Sequence, residues 1–113
     1  MSRDFTYIDD IVRGVVEVLA KPASKEKESS LHRVFNIGNH QPVQLTEYVK
    51  VMEAVAGVPA IIELAAMQAG DVLSTYADTE LIERVTNFKP STPLSEGLKC
   101  FVDWYKDYHK ISS

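Results

Sequence analysis

The chain reads as α/β, a small mixed domain in which helical patterns alternate with short β-rich runs. Three observations predict this. Apolar residues recur at helical spacing in several stretches. Runs rich in Val, Ile and Phe lie between them and end in turn residues. The order helix, strand, helix, strand, helix, helix is the alternation that builds α/β layers. The 113 residues suit one domain, spanning 1–113, with neither internal repeat nor boundary. A chain of this length buries roughly two thirds of its unfolded surface.

The first helix is predicted over residues 6–20. Ile8, Ile11, Val12, Val15 and Leu19 form its apolar stripe. Thr6 with Asp9 has the spacing of a capping box, and Asp9 and Asp10 sit where the helix dipole favours negative charge. Capping explains this carboxylate pair better than acid–base chemistry does. Gly14 weakens the helix unless another segment approaches closely there. Lys21-Pro22 stops it, and residues 23–30 read as a solvated, mobile loop.

Residues 33–37 read as a strand ended by Gly38-Asn39. A short strand over 43–45 is predicted to pair with one over 3–5 and to lead into a helix over 46–56. Leu45, Tyr48, Val49, Met52 and Ala56 form that helix's stripe, and Gly57 suits a left-handed C-terminal cap. Residues 60–64 are apolar and read as a further strand, followed by irregular chain over 65–77. Asp78 is predicted to cap a short helix to about Val85, closed by Asn87 in the left-handed conformation. Thr92 and Pro93 open the last helix, with Pro93 as its first residue and Leu94, Leu98, Phe101, Val102 and Tyr105 as its buried face.

Composition narrows the function classes. The net charge of −4 gives no electrostatic footprint for nucleic acid, and no basic cluster points to a membrane surface. The apolar run 58–67 is too short to span a bilayer. No secretion leader is visible after Met1, and the single Cys100 fits a reducing cytoplasm. His32, His40 and His109 are too scattered for a metal site, so none is expected. Cys100 reads as a packing or partly exposed thiol. Trp104, Tyr105 and Tyr108 read as core and helix-face residues.

Five blocks carry a resemblance. They are Arg3-Asp4-Phe5-Thr6-Tyr7-Ile8-Asp9-Asp10-Ile11; Val34-Phe35-Asn36-Ile37-Gly38-Asn39; Met67-Gln68-Ala69-Gly70-Asp71-Val72 with Thr75-Tyr76-Ala77-Asp78; Phe88-Lys89-Pro90; and Leu94-Ser95-Glu96-Gly97-Leu98, ending in Trp104-Tyr105. In this order they resemble the extended short-chain dehydrogenase/reductase family, the NAD-dependent nucleotide-sugar epimerases and dehydratases. The wording is nearest to UDP-glucuronate 4-epimerases and related bacterial capsule-sugar epimerases. In that family the first block lies past the middle of the chain. The resemblance therefore implies a truncated, C-terminal, substrate-binding portion that stands without its NAD-binding half.

The resemblance also implies a site for a UDP-sugar. Arg3 resembles the arginine that contacts the diphosphate, and Asp71 the carboxylate that holds the ribose hydroxyls. Gln68 falls where some relatives carry a phosphate-binding arginine. The residue types suit these roles, since a planar guanidinium matches a diphosphate and a carboxylate accepts from a diol.

Two elements of the family's catalysis are missing from the sequence. The glycines are Gly14, Gly38, Gly57, Gly70 and Gly97, and no two are close enough to form a dinucleotide-binding turn. The acid–base pair is a tyrosine with lysine four residues on. Tyr7, Tyr48, Tyr76, Tyr105 and Tyr108 are followed at that spacing by Ile11, Met52, Glu80, His109 and Ser112. The expectation is no catalytic residue and no cofactor in this chain, NAD belonging to the parent family. Two functional readings stand side by side: a weak UDP-sugar binder, or a self-associating module that forms a homodimer or joins a separate NAD-binding half.

Overall fold

The computed structural model describes residues 1–22, 32–75 and 77–112. The 23–30 loop and Tyr76 of the third block lie outside the described residues. Six elements follow in order: β1 (Ser2–Arg3), α1 (Ile8–Leu19), β2 (Val43–Gln44), α2 (Leu45–Ala56), α3 (Glu80–Thr86) and α4 (Leu94–Tyr108). The chain is a small α/β piece, as its patterning predicts.

β1 and β2 pair antiparallel, with Ser2 opposite Gln44 and Arg3 opposite Val43. The predicted pairing of these two segments is therefore present, shortened to two residues on each side. The other edge of β1 meets Ser74 in a parallel bridge. There the Ser2 N–H donates to the Leu73 carbonyl at 2.8 Å, and the Thr75 N–H donates to the Ser2 carbonyl at 3.1 Å.

All four helices form near their predicted positions, and their ends follow local chemistry. Gly57 closes α2 at φ 76°, and Asn87 closes α3 at φ 58°, both left-handed. The Asp78 carboxylate accepts from the Glu80 N–H at 3.1 Å, as a capping side chain would. Pro93 stands just outside α4, with ψ 151°, and not as its first helical residue. The capping box of α1 does not form: the helix begins at Ile8 after Tyr7, without a side-chain cap. Thr6 Oγ1 instead accepts the N–H of Asn39 at 3.1 Å.

The core is small and has two parts. Leu98 and Val102 of α4 are buried on the side packed against α2. Ile82 of α3, with no exposed surface, and Phe88 form the second part. Gly14 of α1 faces this second cluster: a Cβ there would lie 3.0 Å from Ile37 Cδ1 and 3.3 Å from Phe88 Cε1. Close packing against neighbouring side chains thus accounts for glycine in mid-helix. Buried Thr86 donates to the Ile82 carbonyl at 2.6 Å and accepts from the Phe88 N–H at 3.2 Å, which fixes the chain as it leaves α3.

The exposed apolar face of α1 agrees with expectation, whereas two predicted strands and part of the predicted α4 face do not form as expected. The apolar stripe of α1 exists but lies uncovered, with Ile8 65%, Val12 54%, Val15 50% and Leu19 74% exposed. Residues 33–37 and 60–64 form no strand, and Val34, Ile61, Ile62 and Leu64 stand in solvent. A strand needs a ladder partner, and among the described residues neither segment has one. Phe101, Trp104, Tyr105 and Tyr108 of α4 are also largely exposed, so the predicted buried face of α4 narrows to Leu98 and Val102. The shape is correspondingly extended. The radius of gyration is 17.7 Å, against about 13 Å for a compact chain of this length.

Ile82→Ala is expected to destabilise the chain by about 3 kcal/mol, read as a shifted denaturant midpoint. A loss below about 1 kcal/mol would mean that the α1–α3 cluster is not a core. A second expectation concerns the Tyr7 phenol, which hydrogen-bonds Cys100. That bond, with some desolvation and the nearby Asp9 and Glu96 carboxylates, raises its pKa above the usual tyrosine value. The folded state therefore favours the protonated phenol. Its stabilisation is present below the ordinary tyrosine value and is lost as pH rises through the raised one. A 13C titration of the Tyr7 ring should show the elevated midpoint, and Cys100→Ala should move it back toward normal. An unchanged midpoint in that variant would refute the hydrogen bond as the main cause.

Candidate functional site

The sequence-predicted site residues lie around β1. Arg3 is half-buried on the strand, and its guanidinium donates to the Ser2 carbonyl at 2.9 Å. Gln68 and Asp71 are exposed and share one turn, in which the Asp71 N–H donates to the Gln68 carbonyl at 3.2 Å. Gly70 makes that turn possible at φ 91°. The turn feeds directly into the 73–75 segment bonded along β1. Gln68 and Asp71 are thus joined locally, and Arg3 stands on the neighbouring strand with its head group folded back on its own backbone.

Directly after Arg3 lies a residue that sequence reasoning passed over. The Asp4 carboxylate accepts three backbone N–H groups: Oδ2 from His40 at 2.9 Å and Ala77 at 3.1 Å, and Oδ1 from Gln41 at 3.3 Å. His40 holds φ 54°, and its Nδ1 lies 2.7 Å from the Ala77 carbonyl, tying the two acceptor-bound segments to each other. Gly38 makes room for the arrangement. A Cβ there would fall 2.6 Å from the Ala77 Cβ and 2.8 Å from Asp4 Oδ2. The available signal was a carboxylate at the end of a strand, outside the helix that follows.

The same opening block supplies two more long-range ties. Asp10 Oδ2 accepts from the Thr92 N–H at 3.1 Å, and Asn39 Nδ2 donates to the Thr92 carbonyl at 3.3 Å. Asp10 therefore fastens the entry of α4, a role that differs from the helix capping expected of it. A polar cleft of about 340 Å³ opens beside this network, lined by Asp4, Thr6, Asn36, Gly38, Thr75 and Asp78 among others. A second, mainly apolar cleft of about 260 Å³ lies between Phe5, Tyr7, Tyr48, Pro93 and Leu98. Phe5 stacks on Tyr48 across its wall, with ring centroids 4.4 Å apart.

The glycines do not fit an NAD pyrophosphate. Gly14 is packed within α1 and Gly97 within α4 against Tyr7, Gly57 caps α2, Gly38 sits against Asp4, and Gly70 closes the Asp71 turn. None stands between a strand and the helix it opens, where a dinucleotide phosphate is held. Among the described residues, no cluster of three or more His, Cys, Asp or Glu side chains is arranged to hold a metal ion. No helix of the described residues is long and apolar enough to cross a membrane.

Comparison with known proteins gives the family. No protein-family model matches the chain. It is 41% identical over 121 residues to Protein CapI of Staphylococcus aureus and 42% identical over 122 residues to a probable UDP-glucuronate 4-epimerase of Rhizobium meliloti. Each match covers 97% of this chain and 36% of the relative. The fold superposes with TM-score 0.81 on the UDP-glucuronic acid 4-epimerase of Bacillus cereus, solved with UDP-glucuronic acid and NAD. That match is 29% identical and covers 95% of this chain and 32% of the enzyme. The chain thus spans about a third of the length of the relatives it matches. By sequence and by fold, the chain matches about a third of the UDP-glucuronate 4-epimerases and belongs with that UDP-sugar epimerase family.

Proposed function

We propose that this chain supplies the UDP-sugar side of an epimerase-type site, binds such a ligand weakly, and does not epimerise it unaided. The supporting observation is the bonding of the 73–75 segment, which follows the Gln68–Asp71 turn, to the β1 strand that carries Arg3. In this reading Arg3 swings from the Ser2 carbonyl to the diphosphate, Asp71 accepts from the ribose hydroxyls, and Gln68 adds an uncharged donor. The missing tyrosine–lysine pair and dinucleotide turn argue against chemistry by these residues alone. A half-site without closure is expected to bind at about millimolar strength.

A second reading is favoured by the surface of α1. Ile8, Val12, Val15 and Leu19 recur at spacings of four, three and four, the seam by which helices pack together, and all four are exposed. Covering this seam by a second copy or by a separate NAD-binding half removes apolar surface from water. We place the chain in the cytoplasm, where its exposed Cys100 thiol stays reduced.

Titration of the isotope-labelled chain with UDP-glucuronate should give saturable amide shifts at Arg3 and at Gly70-Asp71. Arg3→Ala should weaken binding about tenfold or more, the loss of a charge-assisted hydrogen bond. No shifts at millimolar ligand would end the binding reading. Sedimentation should show a dimer at micromolar concentration that Val12→Asp with Val15→Asp converts to monomer. A monomeric unaltered chain would refute self-association.

A further inference from the structure

We propose that Asp4 is a positioning residue: its carboxylate sets the register between Arg3 and the segment carrying Gln68 and Asp71. The inference rests on the UDP-sugar site proposed above and deepens it. Along β1, among the described residues, that segment is held by two backbone bonds, Ser2 N–H to Leu73 and Thr75 N–H to Ser2. Two such bonds, each worth about 1 kcal/mol net, form a weak ladder. A slip of one residue would turn every side chain of the segment to the opposite face. The third point is the Ala77 N–H on Asp4 Oδ2, 73 residues away in sequence. The same carboxylate is itself held by the His40 and Gln41 N–H groups, and the His40 ring is bonded to the Ala77 carbonyl. Asp4, the turn at His40 and Ala77 thus close a triangle with no free corner. Its rigidity passes through Thr75 and Leu73 to the turn that presents Asp71.

Gly38 bears on the same triangle from the other side. Any Cβ at that position would enter the space between Ala77 and the Asp4 carboxylate. Two independent changes therefore loosen one clamp. Asp4→Asn removes the charge and turns an amide N–H toward backbone donors. Gly38→Ala leaves the carboxylate intact but pushes Ala77 away from it.

The test uses the full isotope-labelled chain in three forms: unaltered, Asp4→Asn and Gly38→Ala. Amide hydrogen exchange reports the clamp, and UDP-glucuronate titration reports the site. Because the resonances of the folded chain are followed, the affinity is that of the folded molecules, which a merely stabilising residue would leave unchanged. Both variants are expected to lose exchange protection at Thr75 and Ala77, to keep it in α2 and α4, and to bind UDP-glucuronate about tenfold more weakly. Retained protection at Thr75 in both variants would overturn the proposal. So would unchanged affinity in a variant that has lost that protection, and so would global unfolding of both. If the unaltered chain shows no saturable shifts, the proposed site fails and the positioning role with it. The exchange pattern would then distinguish that outcome from a clamp that does not exist.

Discussion

One carboxylate ties the start of this chain to two distant segments. Asp4 accepts three backbone N–H groups drawn from two segments far apart in sequence. Hydrogen bonds to a charged acceptor contribute about 1.5–3 kcal/mol each when sheltered, and less where water competes. At half-exposed Asp4 the lower end applies, yet the geometry matters more than the sum. The core is limited to Ile82, Phe88, Leu98 and Val102 among the buried apolar side chains of the described residues. Such a core cannot by itself fix loops that never enter it. Asp4, Thr6 and Asp10, all within the opening block, do so by bonding residues around 39, 77 and 92. The block that carries the family resemblance is therefore also the block that organises the polar side of the fold.

This division explains which parts of the fold could be read from sequence. Helices satisfy their own backbone, so periodicity and caps suffice to locate them. Gly57 and Asn87 took the left-handed conformations their chemistry favours, and the four helices form near the expected positions. A strand satisfies its backbone only through another segment, and sequence pattern says nothing about whether that segment is present. Residues 33–37 and 60–64 have β-branched, apolar composition but no ladder among the described residues, whereas the shorter β1 and β2 pair because each supplies the other's partner. The same reasoning covers α1. Its stripe was legible as a stripe, but amphipathicity predicts a covered face only if something lies opposite.

The residues of the proposed site were named in a different way. The types and order of Arg3, Gln68 and Asp71 came from resemblance, and the fold sets two of them in one turn beside the strand of the third. What sequence could not reveal was the mechanical link between them. Asp4 has no periodic signature, because its partners are backbone N–H groups whose identity as residues is irrelevant to the bond. Only Gly38 leaves a trace, since the carboxylate and Ala77 occupy the space a side chain would need. Side-chain-to-backbone ties of this kind are invisible to pattern and decisive for geometry.

The orientation of Arg3 bears on the energetics of the binding proposed for it. Folded back on the Ser2 carbonyl, its guanidinium already has one acceptor, so engaging a diphosphate exchanges one hydrogen bond for stronger charge-assisted ones. The net gain is the difference, not the full strength of the new contacts. Asp71, exposed in its turn, gives up hydration in the same exchange. Both losses fall on the few contacts a third of the relatives' length can supply, while the entropic cost of immobilising the ligand is undiminished. The weak affinity proposed for these residues therefore follows from how few contacts they supply. Covering the α1 seam would not raise that affinity unless the covering partner also brought groups to the ligand.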